Sequence, residues 1–303
     1  MNLFVKKISI LLLLTFILLF VIIILKERDS IVTSKRYLFE SNKSSIECLI
    51  IGTSHTFMGI NPKLFPFKTI NIAENGKPIE VDIEIIEKNI NNLPNLKYVI
   101  IPIDYFTLYF SGMKERSTAK FYHHWNLKDG MIRSYSSERY HFFTCGYSFY
   151  NEILKKQTND SNSGYNPEVN DFSKSTPSQQ KNYCEKKMDS WNQFFIDTSI
   201  SIYVQKRVQK LVTLLKEKKI HTILVTMPVS EAFSKEYDKN LVRKNSLFIQ
   251  KLSKESNSLY INLENYYQFK NDSLFNDGDH LNSKGALIAT VEIKKRILSR
   301  LLK

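Results

Sequence analysis

A chain of 303 residues with a formal net charge of +13 has room for one or two domains and a full hydrophobic core. Its 43% hydrophobic and 24% charged residues are globular proportions, and only 9 Gly and 8 Pro exclude a collagen-like or low-complexity chain. No internal repeat of the solenoid kind runs through it.

The N-terminus stands apart. "MNLFVKK" precedes "ISILLLLTFILLFVIIIL", residues 8–25, which hold no charge. At 1.5 Å per residue this run reaches ~27 Å, close to the ~30 Å hydrocarbon core of a bilayer. A cleaved signal peptide is the competing reading. It has a shorter apolar region and a small-x-small cleavage site, whereas this run ends in Ile-Leu-Lys-Glu-Arg. Residues 1–29 are therefore expected to be one uncleaved transmembrane helix. Lys6 and Lys7 precede the span, while Lys26 and Arg28 follow it among Glu27 and Asp29. Orientation thus rests on the extreme N-terminal position of the run. The expectation is a single-pass protein of a bacterial cytoplasmic membrane, N-terminus inside, with residues 30–303 outside.

The basic balance fits an anionic partner, such as lipid headgroups, acidic wall polymers or nucleic acid, or simply a solvated Lys-rich surface. No zinc-finger, helix-turn-helix or RRM signature is present, and an anchor argues against nucleic acid. The cysteines are Cys48, Cys145 and Cys184, with no Cys-x-x-Cys pair to suggest a redox or zinc site. Cys48 sits in a strand pattern and reads as a buried apolar residue. A Cys145–Cys184 bridge stays open for a domain outside the cytoplasm. No metal or cofactor is expected.

Residues 26–45 are polar and mixed, and read as a short stalk. "IECLII" (46–51), "KTINIA" (68–73) and "KYVIIPI" (97–103) read as strands, too continuously apolar for a sheet open to water on one face. Between the last two, "PIEVDIEIIEKNINNL" (78–93) places Ile79, Ile83, Ile86, Ile90 and Leu93 at helical spacing. Residues 105 to about 195 lack a period, are rich in Tyr, Phe, His, Ser and Asn, and read as an insertion over one end of the sheet. The stretch 155–180 within it looks disordered. "KFYHHWN" (120–126) either lines the site, with His123, His124 and Trp125 holding a sugar, or packs the insertion. Regularity returns with a helix over 201–219, whose apolar face is Ile202, Val208, Leu211, Val212 and Leu215. A strand over 220–228, a mostly helical segment to about 256 and a strand over 259–264 follow. Ser283 is the expected N-cap of a last helix to 302.

Alternating strands and helices imply a parallel sheet covered on both faces. Five strands suggest a flavodoxin-like three-layer α/β sandwich, in which ligands bind beyond the carboxyl ends of the strands. "LIIGTSHTFMGINP" (49–62) then has a context: Ser54 follows the first strand at a tight Gly turn. Acyl chemistry needs a nucleophile, a base and an acid that orients the base. Near the other end, "FNDGDHLNSKG" (275–285) sets Asp277 three residues before His280, a spacing that lets the carboxylate fold back to Nδ1. Asp279 is the competing acid. Oxyanion donors are the Ser54 N–H and Gly76 in "NIAENGKP" (71–78), unless Gly76 is only a turn residue.

"IIGTSHTFMGINP", "NIAENG" and "FNDGDHLNSKGA" together resemble the SGNH (GDSL-like) hydrolase superfamily, and most of all its membrane-anchored branch linked to O-acylation of surface polysaccharide or teichoic acid. The resemblance spans residues 49–285. It implies Ser54 as nucleophile, Gly76 as oxyanion glycine and Asp277 and His280 as the Asp-x-x-His pair. The chain also departs from the family. Thr53 stands where Asp is usual, His55 stands where simple esterases carry Leu, and "IPIDYF" replaces Gly-x-Asn-Asp, with Asp104 in the oxyanion region. "VTMPVS" (225–230) resembles the polymer-acylating branch.

Two functions follow. One is a membrane-anchored serine O-acyltransferase or esterase acting on a surface glycan or teichoic-type polymer, served by a multi-span acyltransferase partner. The other is a catalytically weak SGNH-like scaffold or binding subunit of such a system. A nucleotide-binding reading finds no GxxxxGK[ST] or GxGxxG loop.

Overall fold

The computed structural model describes residues 2–29, 31–111, 119–127, 164–165 and 169–301, without the side chains of 2–3, 21–29, 31–33, 119–120, 123 and 301. One sheet holds β1 (Cys48–Ile50), β2 (Thr69–Asn71), β3 (Tyr98–Pro102), β4 (His221–Thr226) and β5 (Leu259–Asn262). Their order is β2-β1-β3-β4-β5, and every neighbouring pair is parallel. These are the five expected strands, each shorter at its ends than its apolar run. The chain steps from β1 outward to β2 and then crosses back to β3, so the order reverses between β1 and β3. Ligands bind at the carboxyl end of such a switch point.

Side-chain alternation sorts the strand residues into two buried layers. Leu49, Ile51, Val99, Ile101 and Leu224 join one cluster with the helices α2 (Ile31–Asn42), α4 (Ile79–Asn89) and α7 (Thr198–Glu217). Cys48, Ile50, Ile100, Ile223 and Val225 join the other with α6 (Pro177–Phe195) and α10 (Ser283–Leu301). Helices α5 (Ala119–His124) and α9 (Lys239–Ser256) also pack into the first cluster and α8 (Glu231–Ser234) into the second, while α3 (Ser54–Gly59) follows β1. Sheet and helices make the expected three layers.

Three readings change, and one choice left open is decided. The segment expected to be a stalk contains α2, which buries Leu38 and Phe39 in the first layer, with Phe39 edge-on to Trp125 at 5.7 Å. The expected insertion contains α6. Thr176 and Gln179 form a reciprocal capping box there, Pro177 sits in the first turn, and Cys184, Met188 and Trp191 recur at helical spacing on the buried face. Asn282, not Ser283, caps α10, because its Oδ1 accepts from the N–H groups of Lys284 and Gly285 at 3.1 Å each. In "KFYHHWN", Phe121, Tyr122 and Trp125 belong to the first layer. Residues 128–163, and Cys145 with them, lie outside the described residues, and Cys184 is a free buried thiol.

The helix α1 (Asn2–Asp29) precedes the domain. Its described apolar side chains, Phe4 to Phe20, are exposed. Among the described residues no helix is long and apolar enough to cross a membrane. The described side chains of α1 end at Phe20, inside the apolar run 8–25, so the expected span rests on the sequence.

Beneath the switch point lies a buried charge cluster. Lys77 Nζ is 2.8 Å from Asp82 Oδ1 and 3.6 Å from Glu74 Oε1, and it donates to the Ile72 carbonyl. Trp125 Nε1 donates to Glu74 at 3.2 Å. Lys35 of α2 donates to the carbonyls of Asn71 and Ala73 and stands 4.0 Å over the Phe57 ring. Burial holds Lys35 well below the usual lysine range. Burial also pushes Asp82 up to about 6, against the pull of Lys77. Removing one member of such a set strands the others, which typically costs ~3–5 kcal/mol. Lys77→Met should therefore lower unfolding stability by about that amount, read from urea denaturation. An unchanged midpoint would show that the cluster adds nothing to stability.

Candidate active site

Gly52 ends β1 and turns the chain toward the solvent end of the sheet. Its φ is +118°, and a Cβ there would lie 2.2 Å from Pro102 Cγ and 2.8 Å from Thr56 Oγ1. Only glycine fits both the conformation and the space. Its N–H donates to Asp82 Oδ2 at 2.9 Å, and its carbonyl accepts from the Glu74 N–H at 3.0 Å. The buried cluster thus fixes the residue two before Ser54. The chain then enters α3, with Ser54 in its first turn and Thr56 Oγ1 donating back to the Ile51 carbonyl at 2.8 Å.

The loop before α10 supplies the base. Asp277 Oδ1 accepts from the backbone N–H groups of Asp279 at 3.1 Å and His280 at 2.9 Å, a local turn that folds the carboxylate back on the ring. His280 Nδ1 lies 2.9 and 3.0 Å from the two Asp277 oxygens, and Nε2 lies 2.8 Å from Ser54 Oγ. Ser54, His280 and Asp277 form one hydrogen-bonded line across 226 residues of sequence. Asp279 Oδ1 is 3.5 Å from His280 Nδ1, beyond the Asp277 contacts, so Asp277 is the carboxylate hydrogen-bonded to that nitrogen.

Beside this line runs a second buried network, anchored on His55. Its Nδ1 is 3.1 Å from Asp104 Oδ2 and its Nε2 is 3.6 Å from Asp279 Oδ2, the latter a charge contact longer than a hydrogen bond. Asp104 Oδ1 accepts from the Met227 N–H at 2.7 Å. Asp279 Oδ1 accepts from the Tyr183 hydroxyl at 2.6 Å, and Lys187 Nζ stands 3.5 Å from Oδ2. Burial disfavours a charge on His55, but Asp104 and Asp279 overcome it and push its pKa up to about 10. Asp279 is held below the usual carboxylate range, because His280, His55 and Lys187 outweigh the cost of its burial. The His55 ring meets His280 edge-on at 5.3 Å and Phe106 at 5.2 Å.

The expected site residues now have places. Ser54, Asp277 and His280 converge. Asp104 lies at the same sheet end, but its carboxylate accepts from Met227 and pairs with His55, and an ionised carboxylate has no proton to donate to an oxyanion. Its role is corrected to a partner of His55. Gly76 is exposed in a turn with φ +66° and open space where a Cβ would stand. The sequence reading did not join His55, Tyr183 and Lys187 to the site. The signals were present: a histidine directly after the nucleophile candidate, and a helix cap with its 3.6-residue period over 177–195. His55, Asp279 and His280 bring ligand atoms within 4.8 Å of one another, but the set does not suit a metal. His280 already engages Asp277 and Ser54 through its two ring nitrogens, and His55 engages Asp104 through Nδ1.

Two outcomes follow from this geometry. Gly52→Ala should cost ~2 kcal/mol or more, from strain and displaced packing, and shift Ser54; urea unfolding together with serine reactivity checks it. His55 has a folded pKa above its unfolded value of ~6.5. Its stabilisation is complete below ~6.5 and is lost as pH rises toward 10. The difference in unfolding free energy between the natural chain and His55→Gln should therefore shrink across pH 6.5–10, while contributions common to both proteins, from Asp82 and Lys35, cancel. A difference constant with pH would refute the imidazolium.

No protein-family model matches the chain, and no curated protein does. Solved structures similar to the chain include the following two. The lipase/acylhydrolase from Enterococcus faecalis is 11% identical, with 84% of this chain and 97% of that chain covered, at a TM-score of 0.42. A GDSL-like lipase from Bacteroides thetaiotaomicron is 14% identical, with 89% and 100% covered, at a TM-score of 0.40.

Proposed function

We propose that the chain is a serine-dependent acyl-transfer enzyme, an O-acyltransferase or esterase acting on a surface glycan or teichoic-type polymer. The observation that carries this reading is the Ser54 Oγ–His280 Nε2 contact of 2.8 Å, with Asp277 on the far nitrogen of the same ring. Ser54 Oγ attacks the acyl carbonyl and its proton passes to His280 Nε2. The tetrahedral intermediate then expels the donor alcohol, which takes that proton, and leaves an acyl-serine. An acceptor hydroxyl attacks the acyl carbon and gives its proton to His280, which passes it to the departing Ser54 Oγ and restores the free enzyme. Water as acceptor makes the enzyme an esterase, and a polymer hydroxyl makes it a transferase. Backbone N–H groups at the start of α3 have no intrahelical partner and are the nearest oxyanion donors, with Gly76 as a second source.

The anchor belongs to the same reading. The uncharged run 8–25 supports a single transmembrane helix in a bacterial cytoplasmic membrane, with the domain outside. The net positive charge suits an anionic polymer, and nucleic acid is not the partner. An acyl donor made inside must cross the bilayer, so a multi-span membrane partner supplies it. One observation favours the scaffold reading: Asp104, at the expected oxyanion position, is an acceptor already engaged. Ser54→Ala separates the two, since full function of that variant in cells fits only a scaffold.

The detergent-solubilised full chain, treated with a fluorophosphonate and weighed, should carry one adduct. Ser54→Ala and His280→Ala should carry none, and Asp277→Asn should react roughly 10³–10⁴-fold more slowly. An unreactive but folded natural chain would remove the catalytic reading.

A further inference from the structure

The fold places a second buried histidine next to the proposed base, and the acyl-transfer scheme makes no use of it. His55 lies one residue after Ser54, is 4% exposed, and meets the His280 ring edge-on at 5.3 Å. A carboxylate that competes with Asp277 stands on its other side. Asp279 Oδ1 is 3.5 Å from His280 Nδ1, near enough to take over that nitrogen after a small rotation. Three groups draw Asp279 away. Tyr183 of α6 donates to Oδ1 at 2.6 Å, while Lys187 of α6 and His55 flank Oδ2 at 3.5 and 3.6 Å.

We propose that His55 is a positioning residue: it holds Asp279 away from His280 and leaves Asp277 as the sole orienting carboxylate of that ring. This rests on the reading of His280 as the base of Ser54. The physical case is one of placement and charge. A cation beside an imidazole disfavours protonation of that imidazole, and a freed carboxylate favours it. Replacing His55 by a neutral residue does both harmful things at once. It removes the cation and releases Asp279 toward His280.

The surroundings bear on the same balance. His55 faces Asp104 from the end of β3, Asp279 and His280 from the loop before α10, and Glu264 from beyond β5. Burial and Asp104 push Glu264 up to about 7, against the pull of His55. Tyr237, between α8 and α9, feels Glu264, Asp104 and Asp279, and burial raises it well above the ordinary tyrosine value. His280 itself faces Ser54, Asp277 and Asp279. The one lysine in this set, Lys187, has its side chain 32% exposed, so it can be changed without opening the core.

The test reads His280 directly in the detergent-solubilised full chain. Its ring titration is followed by NMR, assigned by the signal lost in His280→Ala, alongside the pH dependence of fluorophosphonate labelling. In His55→Gln the His280 midpoint should rise by about one pH unit, so that labelling one unit below the natural midpoint falls about tenfold. Lys187→Met should move the midpoint in the same direction by less. His55→Gln with Asp279→Asn should return most of the shift. A purely structural role would lower the labelling plateau and leave the midpoint in place. Unmoved His280 midpoints in His55→Gln and Lys187→Met would overturn the proposal, and Lys187→Met alone decides it if His55→Gln does not fold. A natural chain that titrates as expected but never labels would instead refute Ser54 as nucleophile and leave the His55 effect standing.

Discussion

The hydrogen bond from the Gly52 N–H to Asp82, at 2.9 Å, is the constraint on which the rest of the site depends. Ser54 is useful only if β1 ends at the right height and α3 starts at the right angle. Gly52 makes that turn in a conformation and a space closed to any side chain. Asp82, from α4 in the layer below, holds the turn by its backbone. That carboxylate is buried and would cost the fold dearly alone. Lys77 offsets its charge, and the same ammonium holds the Ile72 carbonyl at the end of β2. One buried pair thereby ties β1, β2 and α4 together at the switch point.

Two charged networks flank Ser54, and they differ in kind. The one beneath, with Lys35, Lys77, Glu74 and Asp82, contacts backbone groups of the turns that carry the site. The one beside, with Asp104, His55, Asp279, Tyr183 and Lys187, links side chains from two separate loops, α3 and α6. Buried ion pairs seldom add net stability over a well-packed apolar alternative. Their value here is geometric. Each carboxylate has one arrangement that satisfies it, and the loops at the strand ends must adopt that arrangement together. A parallel sheet with short loops offers no apolar means of setting His280 at 2.8 Å from Ser54, since the two residues come from opposite ends of the chain.

Much of this was legible in the sequence, for reasons that can be stated residue by residue. The strands declared themselves because both sheet faces are covered, which forces continuous apolar runs such as Val99 to Ile101. The Asp277–His280 pairing was legible because a three-residue spacing in a loop closes by a local turn, without help from tertiary structure. Ser54 was legible only by its place after β1. The misread parts are those where tertiary contacts decide. The polar segment before β1 looked like a stalk because, among the described side chains of α2, Leu38 and Phe39 are the apolar ones buried, and Lys35 is buried by partners that no local pattern announces. Asp104 looked like an oxyanion group because position alone was used. Its two oxygens find Met227 and His55, residues 123 and 49 positions away.

The placement of α2 also limits where the proposed chemistry can act. α1 ends at Asp29 and α2 begins at Ile31, and six residues after Asp29 the Lys35 ammonium is already bonded to the turn after β2. Helix rise over six residues is ~9 Å. The same lysine stands over Phe57 in α3, the helix that begins with Ser54. Helix α2 thus packs at the carboxyl end of the sheet within a few residues of the N-terminal helix. With α1 held in a bilayer, the site could not sweep through a wide volume of envelope. On the proposed reading, the site then stays near the membrane surface.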